Sequence, residues 1–127
     1  MLGNSAVIPT IPVSDFERAK EFYGTKLGLE PLKTNKADDG VMYEAGKGTA
    51  VYIYKSAGAG TSQATYASFM VDDIEAEMKA LRVNGVVFEE YDMPGLKTDN
   101  GIANYGDNKA AWFKDSEGNI LALDQMG

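Results

Sequence analysis

Aromatic and carboxylate side chains carry whatever chemistry this chain can perform. Seven tyrosines, five phenylalanines and one tryptophan stand against no histidine and no cysteine among 127 residues. Without imidazole or thiolate, the usual zinc, iron, nickel and copper sites lose their ligands. Ser-His-Asp and Cys-His nucleophiles and an imidazole general base go with them. What is left is a carboxylate or phenol that could move a proton if burial shifts its pKa, and rings that could hold a flat ligand. Three binding patterns can be set aside. Gly46-Lys47-Gly48 lacks P-loop spacing and sits in a hairpin, and Asp115-Ser116-Glu117-Gly118-Asn119 has the wrong acid spacing for a calcium loop. No GxGxxG follows a strand, so a dinucleotide site is unsupported.

The balance of residue types narrows the partners. A net charge of −7 with no basic tract disfavours nucleic acid and anionic membrane surfaces, since both need clustered Lys and Arg. Hydrophobic residues at 44% and charged residues at 24% describe an ordinary single globular domain. No apolar run reaches the length of a membrane span, Met1–Ser5 lacks the pattern of a secretion signal, and disulfides are impossible. A cytoplasmic protein is expected.

The elements that must position these groups are written twice. Val13-Ser14-Asp15-Phe16-Glu17 recurs as Val71-Asp72-Asp73-Ile74-Glu75, and Met42–Gly48 aligns with Trp112–Gly118. The spacing lengthens in the second copy, which places an insertion in Asp92–Asn108, too long for an ordinary connection. Each copy opens on an apolar run, Ala6–Val13 or Thr65–Val71, then switches to helical period. Ser14 with Glu17 has capping-box spacing, and Asp72 is placed to cap with Glu75. Gly28 stops the first helix and Asn84-Gly85 the second. Three strand-like runs follow each helix: about Leu29–Leu32, Val41–Ala45 and Thr49–Tyr54, then Val86–Glu89, Lys109–Lys114 and Ile120–Asp124. Pro9 and Pro12 suit a sheet edge, since proline cannot donate to a ladder.

This order resembles the vicinal oxygen chelate superfamily, which includes glyoxalase I, bleomycin- and fosfomycin-resistance proteins and extradiol dioxygenases. The resemblance rests on Val13–Ala19, Phe22-Tyr23, Leu27-Gly28 and the closing Phe113–Asn119 turn, and covers nearly the whole chain. It implies an α+β fold: two tandem βαβββ modules forming a curved, mainly antiparallel eight-stranded sheet with a concave cleft, and helices on the outer face. One domain is expected over 1–127, with module one at about 5–55, a linker at about 56–64 and module two at about 65–127. Metallated relatives place ligands at positions that become Ile8, Tyr52, Tyr66 and Ala122 here. Ile and Ala cannot ligate and tyrosine is a poor ligand at neutral pH, so no metal and no cofactor are expected.

Strand period gives a second handle. Val51, Ile53, Leu121, Leu123, Ala67, Phe69 and Val71 fall on one face of their strands. Tyr52, Tyr54, Tyr66, Ser68, Met70 and Asp124 fall on the other, mixed in polarity as a lined pocket is. Trp112 occupies a place where related antibiotic-binding proteins present an aromatic to ligand, and Tyr91 and Tyr105 bracket the insertion, which reads as a flap or a dimer arm. Each candidate has a plainer alternative: Tyr52 and Tyr54 as interior filler, Trp112 as a core or interface anchor, Asp124 as a solvated strand end. Phe113 and Tyr23 read as core. The leading expectation is a metal-free, homodimeric binder that sequesters a drug or metabolite in an aromatic-lined groove. A histidine-free glyoxalase-like lyase or isomerase, or a dioxygenase-like enzyme, is the first alternative, and an interaction module without small ligand the second.

Overall fold

The computed structural model describes residues 1–35 and 40–127. Two four-stranded mixed sheets dominate it. In the first, β1 (Thr10–Val13), β4 (Ala50–Lys55), β3 (Gly40–Glu44) and β2 (Glu30–Asn35) lie side by side in that order. In the second the order is β5 (Thr65–Met70), β10 (Ile120–Gln125), β9 (Asn108–Lys114) and β8 (Ala103–Tyr105). The first and last strands of each module run parallel and the remaining pairs antiparallel. The single eight-stranded sheet expected from the resemblance is therefore two sheets, joined by a core rather than by a ladder.

Each module carries one helix between its first two strand regions: α1 (Phe16–Glu21), continued by a wider turn over Phe22–Lys26, and α2 (Ile74–Val83). The caps fall one residue later than the spacing suggests. Asp15 accepts the Arg18 N–H at 3.0 Å and Asp73 the Ala76 N–H at 3.1 Å, each satisfying a first-turn donor. Ser14 is drawn instead to a partner in the other module, described below. The first strand is also shorter than the apolar run, because its ladder begins only at Thr10, after Pro9.

In the second module the outer strand is broken in two. Phe88 bridges Phe113 and the Glu89 N–H donates to the Trp112 carbonyl at 2.8 Å, while Ala103–Tyr105 pairs with Asn108–Ala110 farther along β9. Between these halves the chain leaves the sheet and forms a small hairpin of β6 (Asp92–Met93) and β7 (Leu96–Lys97). The expected strand at Val86–Glu89 is thus one half of that outer strand, and the insertion supplies the other half as well as the hairpin.

The closed faces of both sheets bury into one cluster. Ile11, Val13, Tyr23, Val51 and Ile53 of the first module meet Ile74, Met78, Phe113, Leu121 and Leu123 of the second. The Phe22 and Phe113 rings lie 6.4 Å apart across the join. Burying each large side chain contributes about 1.5–3 kcal/mol, so neither module keeps its core without the other. The open face of each sheet lies on the far side from that cluster.

A polar knot closes the join. Glu117, whose side chain is fully buried, accepts the Ser14 and Asp15 N–H groups at 3.0 and 2.7 Å, at the entry to α1. Its oxygens also accept from the Ser14, Ser116 and Arg18 side chains. Burial alone would raise the Glu117 pKa, but the Arg18 hydrogen bond, the Asp15 N–H and the two serine hydroxyls outweigh it and hold the group at about 2. Beside it, Asp115 accepts the Tyr23 hydroxyl at 2.6 Å, and burial followed by that carboxylate pushes the phenol pKa well up. Asn119 donates to the Pro12 carbonyl at 2.7 Å and accepts from the Gly60 N–H at 2.9 Å.

Gly60 stands at φ +70°, and a Cβ there would lie 2.5 Å from the Glu117 carbonyl oxygen. Gly60→Ala is expected to cost about 1–3 kcal/mol through that strain, readable as a lowered urea midpoint with an unchanged slope. An unaltered midpoint would show the linker free to move off the turn.

Candidate functional site

A groove of about 590 Å³ opens on the outer face of the second sheet. Its floor follows from strand period. On β9, Ala111 and Phe113 enter the core, so Trp112 and Lys114 project the other way, and the ladder sets Ala122 beside Trp112 and Ile120 beside Lys114. Thr65 stands beside Ile120 across the next ladder. One wall is the hairpin, which supplies Tyr91, Met93 and Leu96; the opposite wall is the linker at Gly60 and Ser62–Ala64.

The Tyr91 ring meets Trp112 edge to face, with centroids 5.6 Å apart and planes at 77°. Such a contact contributes about 0.5–1.5 kcal/mol beyond the area it covers, and it leaves the rest of the indole face to the groove. Burial, then the Glu89 carboxylate, raises the Tyr91 pKa, so its phenol is a protonated donor at neutral pH. At the rim Lys114 Nζ lies 3.6 Å from Glu89. With Lys114 more than half exposed, that pair contributes little to stability and is free to exchange for a charge on a ligand. The arrangement offers a π-surface, a phenol donor and an adaptable thioether: the means to hold an aromatic molecule.

The candidates named from sequence do not all meet here. Trp112 and Tyr91 do. Tyr52 and Tyr54 stack at 6.4 Å on the open face of the first sheet, beside Thr10 and Pro12 of β1. Ser68 and Met70 line a separate cleft of about 380 Å³ with Val7, Pro9 and the turn before β4. Asp124 sits beside Met70 and Ala110, half-buried at the end of its strand, and Tyr105 is exposed on β8. Tyr66 corrects the parity reading: the register slips between Ile120 and Leu121, so Tyr66 is the unpaired residue of a bulge and packs against the core.

Sequence reasoning missed Glu89, Lys114, Ile120, Thr65 and the linker residues, and placed Met93 and Leu96 only as apolar members of a long loop. Alternation along β9 and β10 could have found Lys114 and Ile120 from Trp112. Nothing local signals that the linker walls the groove.

The four positions that correspond to metal ligands in the resembling superfamily are not gathered either. Ile8 lies ahead of β1, Tyr52 and Ala122 belong to different sheets, and Tyr66 is at the bulge. Ile8 and Ala122 carry no donor atom, and among the described residues no group of three or more acidic side chains could hold an ion. As the described residues place them, these four positions do not fit a metal. Nor, among the described residues, is any helix long and apolar enough to cross a membrane.

Comparison with known proteins agrees with this architecture. Residues 6–32 match the bleomycin resistance protein-like N-terminal family. The solved structure of TnmS3, an antibiotic binding protein from Streptomyces sp. CB03234, superposes with a TM-score of 0.77 at 23% identity, covering 100% of both chains. A glyoxalase family protein from Enterococcus faecalis gives 0.73 at 24% identity, covering 98% of this chain and 99% of its own. FosX, a fosfomycin resistance protein from Listeria monocytogenes, gives 0.72 at 11% identity over 98% and 94%. No curated protein matches by sequence. The chain has the vicinal oxygen chelate fold, and residues 6–32 carry the sequence pattern of the bleomycin resistance protein-like N-terminal family.

Proposed function

We propose that this protein binds a flat, partly aromatic small molecule without metal, in the groove centred on Trp112, and acts by sequestering it. The observation that carries the reading is the edge-on Tyr91–Trp112 pair at the back of a groove whose hairpin wall contributes Met93 and Leu96. The antibiotic-binding and fosfomycin-resistance neighbours support a role of this kind. The chain works as a homodimer. Its two open sheet faces lie on far sides of a shared core, so the tyrosines of one and the tryptophan of the other line a single cleft only when two copies meet. Exposed Val7, at 90%, and Met70, at 63%, suit burial in such a contact.

Trp112 is the only tryptophan, so its fluorescence reports the groove directly. Titration with planar aromatic antibiotics is expected to give a saturable change that chelator leaves untouched, with the ligand recovered intact by mass spectrometry. Binding abolished by chelator, or a ligand returned chemically altered, would overturn the reading.

A further inference from the structure

The hairpin that walls the groove is fastened at its base by two residues that do not line it. The Thr98 hydroxyl donates to Glu90 Oε1 at 2.5 Å and accepts the Tyr91 N–H at 2.8 Å. The Thr98 N–H returns to the Tyr91 carbonyl at 2.9 Å, which closes the hairpin one step outside the β6–β7 ladder. The same Glu90 oxygen accepts the Gly101 N–H at 3.0 Å, so one carboxylate ties both ends of the excursion together. Beyond it, the Asn100 carbonyl accepts from Arg82 at 2.9 Å, and Gly101, at φ +82°, is packed so closely that a Cβ would lie 2.9 Å from Met78 and 3.1 Å from Phe88. That far end is fixed to α2, while the tip at Pro94-Gly95 is exposed.

We infer that Glu90, acting through the Thr98 hydroxyl, is the positioning group of this site: it sets the backbone of Tyr91 so that the ring stands against Trp112 and the hairpin closes the groove. Tyr91 is the hairpin residue whose N–H and carbonyl both enter this clamp and whose ring also reaches the floor. The clamp's hydrogen bonds are directional and converge on one peptide unit, whereas an edge-to-face ring contact tolerates a range of angles and offsets. The clamp therefore governs where the ring sits, and the ring does not hold the clamp.

The test needs no natural ligand. In the full-length, ligand-free protein, Thr98→Val removes the hydroxyl while keeping the shape, and Thr98→Ser restores it. Acrylamide quenching of Trp112 is expected to rise roughly twofold or more in Thr98→Val and in Glu90→Ala, with Thr98→Ser near the parent. The Thr98→Val/Glu90→Ala double variant should be no worse than either single, because the two act as one unit. Thermal unfolding measured alongside shows whether each variant is folded. Unchanged quenching in both folded single variants, or fully additive effects in the double, would overturn the inference. If Thr98→Val unfolds, Thr98→Ser with Glu90→Gln carries the same comparison. A second arm rests on the binding groove proposed above: the aromatic probe anilinonaphthalene sulfonate should leave Thr98→Val faster while associating at the parent rate. A changed quench with unchanged probe kinetics would count against the groove and leave the clamp standing; the reverse pattern would count against the clamp.

Discussion

Glu117→Ala is expected to lower the free energy of unfolding by about 3 kcal/mol at neutral pH. Breaking a buried ion pair costs about 3–5 kcal/mol when the surviving charge stays buried. Here the survivor, Arg18, is half exposed and can return to water, so the lower end applies. The pH dependence leads to the same magnitude. A carboxylate held at about 2 in the folded chain, against an ordinary 4.5, favours folding wherever the unfolded form binds the extra proton. Its contribution, about 3 kcal/mol, is complete above about 4.5 and is lost as the pH falls from there toward 2. The parent's urea midpoint should therefore drop steeply over that window, and Glu117→Gln should flatten the Glu117 part of the drop. A Glu117→Ala chain as stable as the parent would show that the Ser14, Asp15 and Arg18 donors are equally well served by water.

Trp112→Ala is expected to weaken ligand binding by about 100-fold, since removing a large aromatic anchor from the centre of a site costs about 2–4 kcal/mol. Tyr54→Ala should weaken it as well, although Tyr54 lies on the other sheet, if two chains complete each groove. Mixing the two variants then distinguishes the arrangements. A mixed dimer carries both lesions in one groove and none in the other, so refolding the variants together should restore strong binding at part of the sites. If one chain completes the groove, Tyr54→Ala alone leaves binding intact and the mixture shows no rescue, only the binding its Tyr54→Ala chains already have. Binding that survives Trp112→Ala would remove the groove on the second sheet altogether.

Much of the architecture was legible because it rests on local rules. The duplicated turn from strand to helix, the stopping glycines at 28 and 85 and the alternation on β4 and β10 all read directly from residue type and period. Tyr23 and Phe113 read as core and are core. The misses arise where a distant partner decides. Ser14 has the spacing of a cap, yet Glu117 approaches from the other end of the chain and takes its hydroxyl, leaving Asp15 to cap. The bulge that turns Tyr66 inward depends on how β5 registers against β10, and nothing within Thr65–Met70 announces it. The candidate site was half legible. Period puts Tyr52 on an open face, and the resemblance singles out Trp112. Which open faces share a space depends on the packing of Phe22 on Phe113 and of the closed faces on one another, and that has no local signature.

Asp115, Glu117 and Asn119 meet Tyr23, Ser14, Asp15 and Pro12 across 92 to 107 residues of sequence. Closing so long a loop costs chain entropy before the contacts return any stability, so the meeting of the two modules is expected to limit the rate of folding. Until that turn arrives, the α1 entrance stays unsealed and the apolar surface of the first module stays wet.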